Sequence, residues 1–162
     1  LPSPLASKII TSLTAGSDDS IWLGALGVGI ARYSQGRFEV WTKTNGLAGN
    51  DIRCLRHASN GEVWIGTEAN GVVRAWSRST GERAWDTDRL KYRELTSPLM
   101  LEKGIVVGDE GGWLYVLSNK DGSLLNRTQT PASGFASSPT ALPNGGFVIL
   151  ARSGQLMAYQ LP

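Results

Sequence analysis

The 162-residue sequence contains little of what disulfide-bonded, metal-binding and most catalytic proteins require, since it has one cysteine, Cys54, and one histidine, His57. A lone cysteine excludes an internal disulfide, and we interpret Cys54 as a small buried hydrophobic residue. His57 lacks the spaced partners that a catalytic triad or a histidine-based metal site requires, so we interpret it as a surface residue. No apolar run approaches the ~18 residues of a membrane-spanning helix. The first ten residues lack the charged start and apolar run of a signal peptide.

Charge is also sparse and is not concentrated on one segment. The sequence has 16 lysines and arginines and 14 acidic residues, which give a net charge of +2. The densest basic stretch, residues 89–93, follows two aspartates and forms no basic face, which argues against nucleic-acid binding. The acidic pairs Asp18-Asp19 and Asp109-Glu110 are typical of turns, and no spaced calcium loop occurs. The sequence therefore predicts no catalytic residue, no cofactor, no metal ligand and no nucleic-acid partner.

Glycine, by contrast, is abundant, with 20 residues spread along the chain between short apolar runs. Four of these runs recur at an interval of 42 residues without a gap, and turn residues precede and follow each of them. Short, bounded runs rich in β-branched and aromatic residues are typical of buried strands. The four runs are Ile21–Gly24, Val63–Gly66, Ile105–Gly108 and Phe147–Leu150.

Each central run is flanked by further strand candidates, so the repeating unit is a four-stranded antiparallel meander. Inner strands are clearest at 10–13, 52–55 and 98–101, and outer strands at 38–41, 83–85 and 123–126. Such a sheet buries both faces only if similar sheets stack on each side of it, as they do in a propeller, whose blades have about 40–45 residues. A β-sandwich also has short strands but does not explain the ungapped interval. We predict an all-β propeller with four 42-residue, four-stranded blades per chain.

Residues 1–74 resemble one family of propeller repeats. The matching runs are Thr44–Leu47, Asn50–Ile52, Asn60–Thr67 and Gly71–Arg74. They are similar to the two-component-regulator propeller repeat, which occurs in sensor domains of bacterial hybrid histidine kinases. The resemblance implies two blades and a role in periplasmic sensing.

Residues 75–162 resemble a second family. Ala75, Thr80, Gly81 and Trp85 follow its docking motif, with Ser77 where the family has aspartate. Residues 95–98, 106–109, 112–115 and 151–154 extend the match. This half is similar to the C-terminal blades of BamB, a quinoprotein-like lipoprotein propeller of the outer-membrane β-barrel assembly machinery. The resemblance implies two non-enzymatic blades and binding to BamA, although the main contact loops lie outside the matched part.

The change of resemblance near residue 75, without loss of the 42-residue phase, favours an engineered chimera of propeller fragments; a natural recombinant or divergent array is the alternative. The fourth repeat ends after its third strand, and residues 1–7 can supply only the tail of an outer strand. We therefore expect a homodimer that completes an eight-bladed ring, with a four-bladed monomer as the alternative. A natural periplasmic interaction or sensor module is the alternative function. The parent families are periplasmic or associated with the outer membrane, but the sequence itself predicts no compartment.

Tryptophan is the most informative residue type for packing, with six copies. Trp22 and Trp64 occupy the same repeat position, which is typical of a structural role, and an aromatic ligand cage is the alternative. In the quinoprotein-like family the equivalent of Trp85 docks one blade onto the next. The expected blade-docking residues are Trp22, Trp64, Trp85, Gly24, Gly66, Gly81 and Gly108.

Overall fold

The structure is a computed structural model that describes residues 5–16, 18–47, 49–57, 62–68, 71–77 and 83–162, with the backbone alone at 57, 62–68 and 76–77. The strands form four antiparallel sheets, and neighbouring strands in each sheet are consecutive in the chain. Sheet 1 contains β1 (Ile10–Ala15), β2 (Ile21–Ala25), β3 (Gly29–Ser34) and β4 (Arg37–Trp41). Sheet 2 contains β5 (Ile52–His57), β6 (Glu62–Glu68), β7 (Val73–Ser77) and β8 (Arg83–Thr87). Sheet 3 contains β9 (Leu99–Leu101), β10 (Gly104–Gly108), β11 (Trp113–Leu117) and β12 (Leu124–Gln129), and sheet 4 contains β13 (Thr140–Ala141), β14 (Phe147–Leu150) and β15 (Leu156–Tyr159).

Local sequence explains the hairpins. In sheet 1, Gln35 and Gly36 both have positive φ, at 49° and 76°. Two central residues of positive φ form a type I′ turn, whose twist matches that of the paired strands. The turn closes the pairing of Ser34 with Arg37 and so sets the register of β3 on β4.

The predicted all-β class is confirmed, and helix in the described ranges is limited to one 3₁₀ turn at Lys43–Asn45. The sheets stack side by side with their inner strands adjacent, since β1 packs on β5 and β9 on β13. This arrangement is the propeller that the sequence predicts. Sheet 4 has three strands in the part of the chain that the structure describes, whereas the other sheets have four.

The hydrophobic core lies between successive sheets. One cluster joins sheets 1 and 2, a second joins sheets 2 and 3, and a third joins sheets 3 and 4. A fourth cluster, which contains Leu5, Ala25 and Ala31, lies on the side of sheet 1 that faces away from sheet 2. None of the clusters formed by described residues joins sheet 4 to sheet 1.

One register difference interrupts the repeat. Arg32 lies opposite Trp22 in sheet 1, but the residue opposite Trp64 in sheet 2 is Ala75, one place later than the 42-residue interval gives. Because side chains alternate along a strand, this extra residue exchanges the two faces of β7. Val73 and Ala75 therefore face sheet 3.

Candidate functional site

Trp22 fills the junction between sheets 1 and 2. Its side chain is buried in the cluster that contains Ile52 and Leu55 of sheet 2. The indole stacks on Trp41 at 5.3 Å between ring centroids, and the Arg32 guanidinium lies 5.8 Å above it. Arg32 also donates hydrogen bonds to Asp18 and Glu39, which raise the pKa of the guanidinium. Trp41 and Arg32 thus both pack on the ring, as neighbours of a packing residue do.

Trp85, on the outer strand β8, lies between sheets 2 and 3. It is buried with Ile105 and Leu117. A Cβ added to Gly122, in the turn between β11 and β12, would lie 2.3 Å from an atom of the indole ring. The ring of Trp85 therefore rests directly on the backbone of the next sheet, where only glycine leaves room for it.

Two of the glycines expected at docking positions lie at close approaches of neighbouring sheets. A Cβ at Gly24 would lie 2.8 Å from Ile52 of sheet 2, and one at Gly108 would lie 2.6 Å from the Phe135 ring. The structure places Trp64 and Gly66 in β6 without describing their side chains, and Gly81 lies outside the described residues.

Asp109 is a buried carboxylate whose bonds all go to neighbouring protein groups. Its Oδ1 accepts from the backbone N–H of Gly111 and Trp113, at 2.9 Å each. Its Oδ2 accepts from Arg93 at 2.7 Å and from the Tyr115 hydroxyl at 2.9 Å. Burial and the hydrogen bond to Asp109 raise the pKa of Tyr115 to about 12. The first pair of bonds is the turn chemistry that the sequence indicates, and the second pair ties the turn to β11 and to the segment before β9.

Cys54 is buried, and burial raises the pKa of its thiol. His57 lies at the end of β5, opposite Val63, and its side chain lies outside the description. Among the described residues, no three His, Cys, Asp or Glu side chains cluster as metal ligands would. The same residues include no helix long and apolar enough to span a bilayer.

A polar cavity of about 210 Å³ lies where sheets 2, 3 and 4 converge. Its charged wall residues carry both signs, and Arg53 forms an ion pair with Glu94 at 3.9 Å. The lining includes Arg53, Glu94, Thr96, Ser137, Ser138 and Arg152. Such a surface provides hydrogen-bonding groups of both charge signs.

The first of two apolar surfaces lies on the side of sheet 1 that faces away from sheet 2. Cross-strand pairing and alternation place six large side chains on it, with Leu13 opposite Leu23, and Tyr33 opposite both Ile21 and Phe38. Leu13 is 63% exposed, whereas Leu55, its counterpart 42 residues later, is 1% exposed. We call this surface the N-terminal end face; it consists of Leu13, Ile21, Leu23, Tyr33, Phe38 and Val40.

The second surface lies on the side of sheet 4 that faces away from sheet 3. Phe147, Ile149 and Met157 point toward sheet 3, so their neighbours along the strands point away. Leu156 is 66% exposed, whereas Leu114, its counterpart 42 residues earlier, is 4% exposed. We call this surface the C-terminal end face; it consists of Val148, Leu150, Leu156 and Ala158.

The two end faces are of complementary kinds. We call the side of a sheet that faces the next sheet along the chain its forward side, and the opposite side its backward side. At each internal junction, the forward side of one sheet packs on the backward side of the next. The N-terminal end face is a backward side, and the C-terminal end face is a forward side. The sequence pattern did not single these residues out, because Leu13 and Leu156, the most exposed of them, repeat the type of the buried Leu55 and Leu114. Their place in the first and last repeats is the signal that could have identified them.

Comparison with known proteins gives a consistent family. A family model described as outer membrane protein assembly factor BamB matches residues 12–161. The outer membrane protein assembly factor BamB of Marinobacter adhaerens is 32% identical over 101 residues, which are 62% of this chain and 26% of that protein. The BamB of Legionella pneumophila is 32% identical over 129 residues, which are 80% of this chain and 31% of that protein. The chain spans between a quarter and a third of the length of these relatives.

Solved structures share the fold. BamB from Moraxella catarrhalis superposes with a TM-score of 0.75 at 23% identity, over 92% of this chain and 42% of that one. The computationally designed Ika4 protein gives 0.74 at 20% identity, over 96% of this chain and 93% of that one. The extracellular domain of a hybrid two component system from B. thetaiotaomicron gives 0.72 at 18% identity, over 96% and 21%. At these identities the structures show the propeller fold alone.

Proposed function

This chain belongs to the BamB family, and on that premise we propose that it is a non-catalytic, protein-binding propeller that assembles with a second copy of itself. The observation that carries the proposal is the pair of exposed apolar end faces. Leu13 and Leu156 are 63% and 66% exposed, although the same repeat positions are buried at the internal junctions. Apolar side chains that are exposed together on one side of a sheet indicate a binding surface.

The geometry of the internal junctions supports a head-to-tail pair. If the C-terminal end face of one copy packs on the N-terminal end face of another, each new junction joins the same two kinds of surface as the internal ones. Two such junctions related by a twofold axis close the ring and leave no end face exposed. A total burial of about 1,600 Å² is ordinary for a specific interface. The product is an eight-bladed homodimer; a four-bladed monomer, in which sheet 4 packs on sheet 1 of its own chain, is the alternative.

The origin of the chain is a separate proposal. An engineered or recombined chimera is supported by a change of hairpin type at the point where the sequence resemblance changes. The β3–β4 hairpin closes with two residues, whereas β7–β8 and β11–β12 both have a register shift beside longer connections, at Ala75/Trp76 and Val116/Leu117. The family match covers both sides of residue 75, so family membership does not depend on the origin. A natural coding sequence with the same residues on both sides of this point would contradict the engineered origin.

A natural interaction or sensor module of the periplasm is the second candidate function. The BamB relatives, whose description names outer membrane assembly, favour a protein partner for such a module. The polar cavity at the convergence of sheets 2 to 4 is the surface that this function would use.

Sedimentation velocity of three matched variants tests the self-assembly. We expect twice the 17.4 kDa mass for the wild type. Leu156→Asp and Leu13→Asp each place a carboxylate in the apolar junction, where an unpaired charge is strongly unfavourable, so we expect single chains. Leu125 is 57% exposed on the outer strand β12, away from both end faces, and Leu125→Asp is expected to remain dimeric. A monomeric wild type, or equal dissociation of all three variants, would contradict the proposal.

A further inference from the structure

A glycine of positive φ lies one or two residues before the third strand of sheets 2, 3 and 4. Gly71, Gly112 and Gly154 have φ of 73°, 80° and 85°. In sheets 2 and 3 this glycine is covered by a backbone carbonyl of the segment that leads into the next sheet. A Cβ at Gly71 would lie 2.1 Å from the Leu90 oxygen, and one at Gly112 would lie 1.8 Å from the Ala132 oxygen.

Gly154 has the same conformation, but no described atom lies within 4 Å of its Cβ position. The place that a carbonyl fills at two of the three internal junctions, those after sheets 2 and 3, is therefore open on sheet 4. It lies beside the C-terminal end face, two residues before Leu156.

The first described residues of the chain repeat the turn that covers Gly71. Lys8 N–H donates to the Leu5 oxygen at 3.0 Å, and Arg93 N–H donates to the Leu90 oxygen at 3.3 Å. The third residue of each turn has positive φ, 60° at Ser7 and 65° at Tyr92. Positive φ is uncommon outside glycine, so these two turns, which lie 85 residues apart or one more than two repeats, indicate the same local structure.

The residue after each turn makes the same hydrogen bond to its own sheet. The Ile9 oxygen accepts from Leu26 N–H at 3.0 Å, and the Glu94 oxygen accepts from Glu110 N–H at 3.1 Å. Leu5 is buried on sheet 1, as Leu90 is buried between sheets 2 and 3. Residues 5–8 thus stand before sheet 1 as residues 90–93 stand before sheet 3.

We infer that Gly154 of one copy is the docking point for the turn Leu5–Lys8 of a second copy, with the Leu5 carbonyl over Gly154 as the Leu90 carbonyl lies over Gly71. This inference rests on the proposed self-assembly and specifies which backbone groups meet in it. Contact of the turn Leu5–Lys8 with Gly154 fixes the position of one copy relative to the other. The two apolar end faces pack on each other beside this contact. Only a glycine at position 154 admits the carbonyl, because a Cβ would lie within about 2 Å of it, as at Gly71.

The test compares Gly154→Ala with Gly145→Ala by sedimentation equilibrium. Gly145 is a matched control, since its φ is 80° and its Cβ position is equally open, but it lies in the β13–β14 turn. Both variants carry the same backbone strain, and circular dichroism checks that both fold. We expect Gly154→Ala to weaken the dimer by about tenfold or more, as overpacking a tight contact does, and Gly145→Ala to leave its dissociation constant within about twofold.

A wild-type dimer that both variants weaken equally would overturn the docking of the turn on Gly154 and leave self-assembly standing. A wild-type chain that sediments as a monomer would overturn self-assembly, and this inference with it.

Discussion

Replacing Gly108 by alanine tests how closely sheets 3 and 4 approach each other. The new Cβ would lie 2.6 Å and 2.8 Å from two atoms of the Phe135 ring and 3.4 Å from Ile149 Cδ1. Apolar carbons pack at about 3.5–4.0 Å, so the ring would have to move by about 1 Å. Phe135 and Ile149 are buried in the cluster between the two sheets, which leaves little room for that movement.

Overpacking of a core in this way costs about 1–3 kcal/mol. Alanine also restricts the conformations of the unfolded chain, and this effect alone raises the free energy of unfolding by about 0.4–1 kcal/mol. We therefore expect Gly108→Ala to lower the free energy of unfolding by about 1–2 kcal/mol. Gly111→Ala is the control, because its Cβ would lie 3.4 Å and 3.6 Å from its nearest neighbours and meets ordinary contacts. It is expected to be neutral or to stabilise the protein by up to about 1 kcal/mol.

Urea denaturation followed by tryptophan fluorescence measures both changes as shifts in midpoint at unchanged slope. The variants must be compared at one protein concentration, since association adds to the apparent stability. Equal midpoints for Gly108→Ala and Gly111→Ala would refute a tight contact between Gly108 and Phe135.

Two further predictions concern the internal junctions. The pKa of Tyr115 is raised to about 12, so the folded state favours the neutral phenol; this stability is complete below pH 10 and is lost as the pH rises toward 12. Unfolding free energies from pH 8 to pH 11.5 should fall more steeply for the wild type than for Tyr115→Phe, and parallel curves would contradict a raised pKa of Tyr115 in the folded state. Trp85→Ala removes the ring that rests on Gly122 and should lower the free energy of unfolding by about 3–5 kcal/mol. A loss below about 1 kcal/mol in urea denaturation would show that this ring does not hold sheets 2 and 3 together.

The central strands were predictable because each is a short apolar run between turn residues at a constant interval. The repeat also indicated that the sheets stack, since a thin meander cannot bury both of its faces alone. Gly24, Gly108, Trp22 and Trp85 lie where neighbouring sheets meet, as packing residues of a repeat would. The docking role of all seven residues stays a prediction; the structure describes only the backbone of Trp64 and Gly66 and does not describe Gly81.

Other features depended on contacts between distant residues. The one-residue shift in β7 is invisible in the interval between the central runs and appears only when Trp64 is seen opposite Ala75. The bonds of Asp109 to Arg93 and Tyr115 join separate segments, so the sequence indicated only the turn. The exposure of Leu13 and Leu156 follows from which sheet lacks a neighbour, not from residue type.

Small-angle X-ray scattering of the wild-type protein tests most directly whether the two end faces close a ring between two copies. We predict a particle of twice the 17.4 kDa chain mass. A compact particle of twice 162 residues has a radius of gyration of about 20 Å. A particle with the mass of one chain, or a dimer whose radius of gyration exceeds about 25 Å and so is too extended to be a closed ring, would contradict the account.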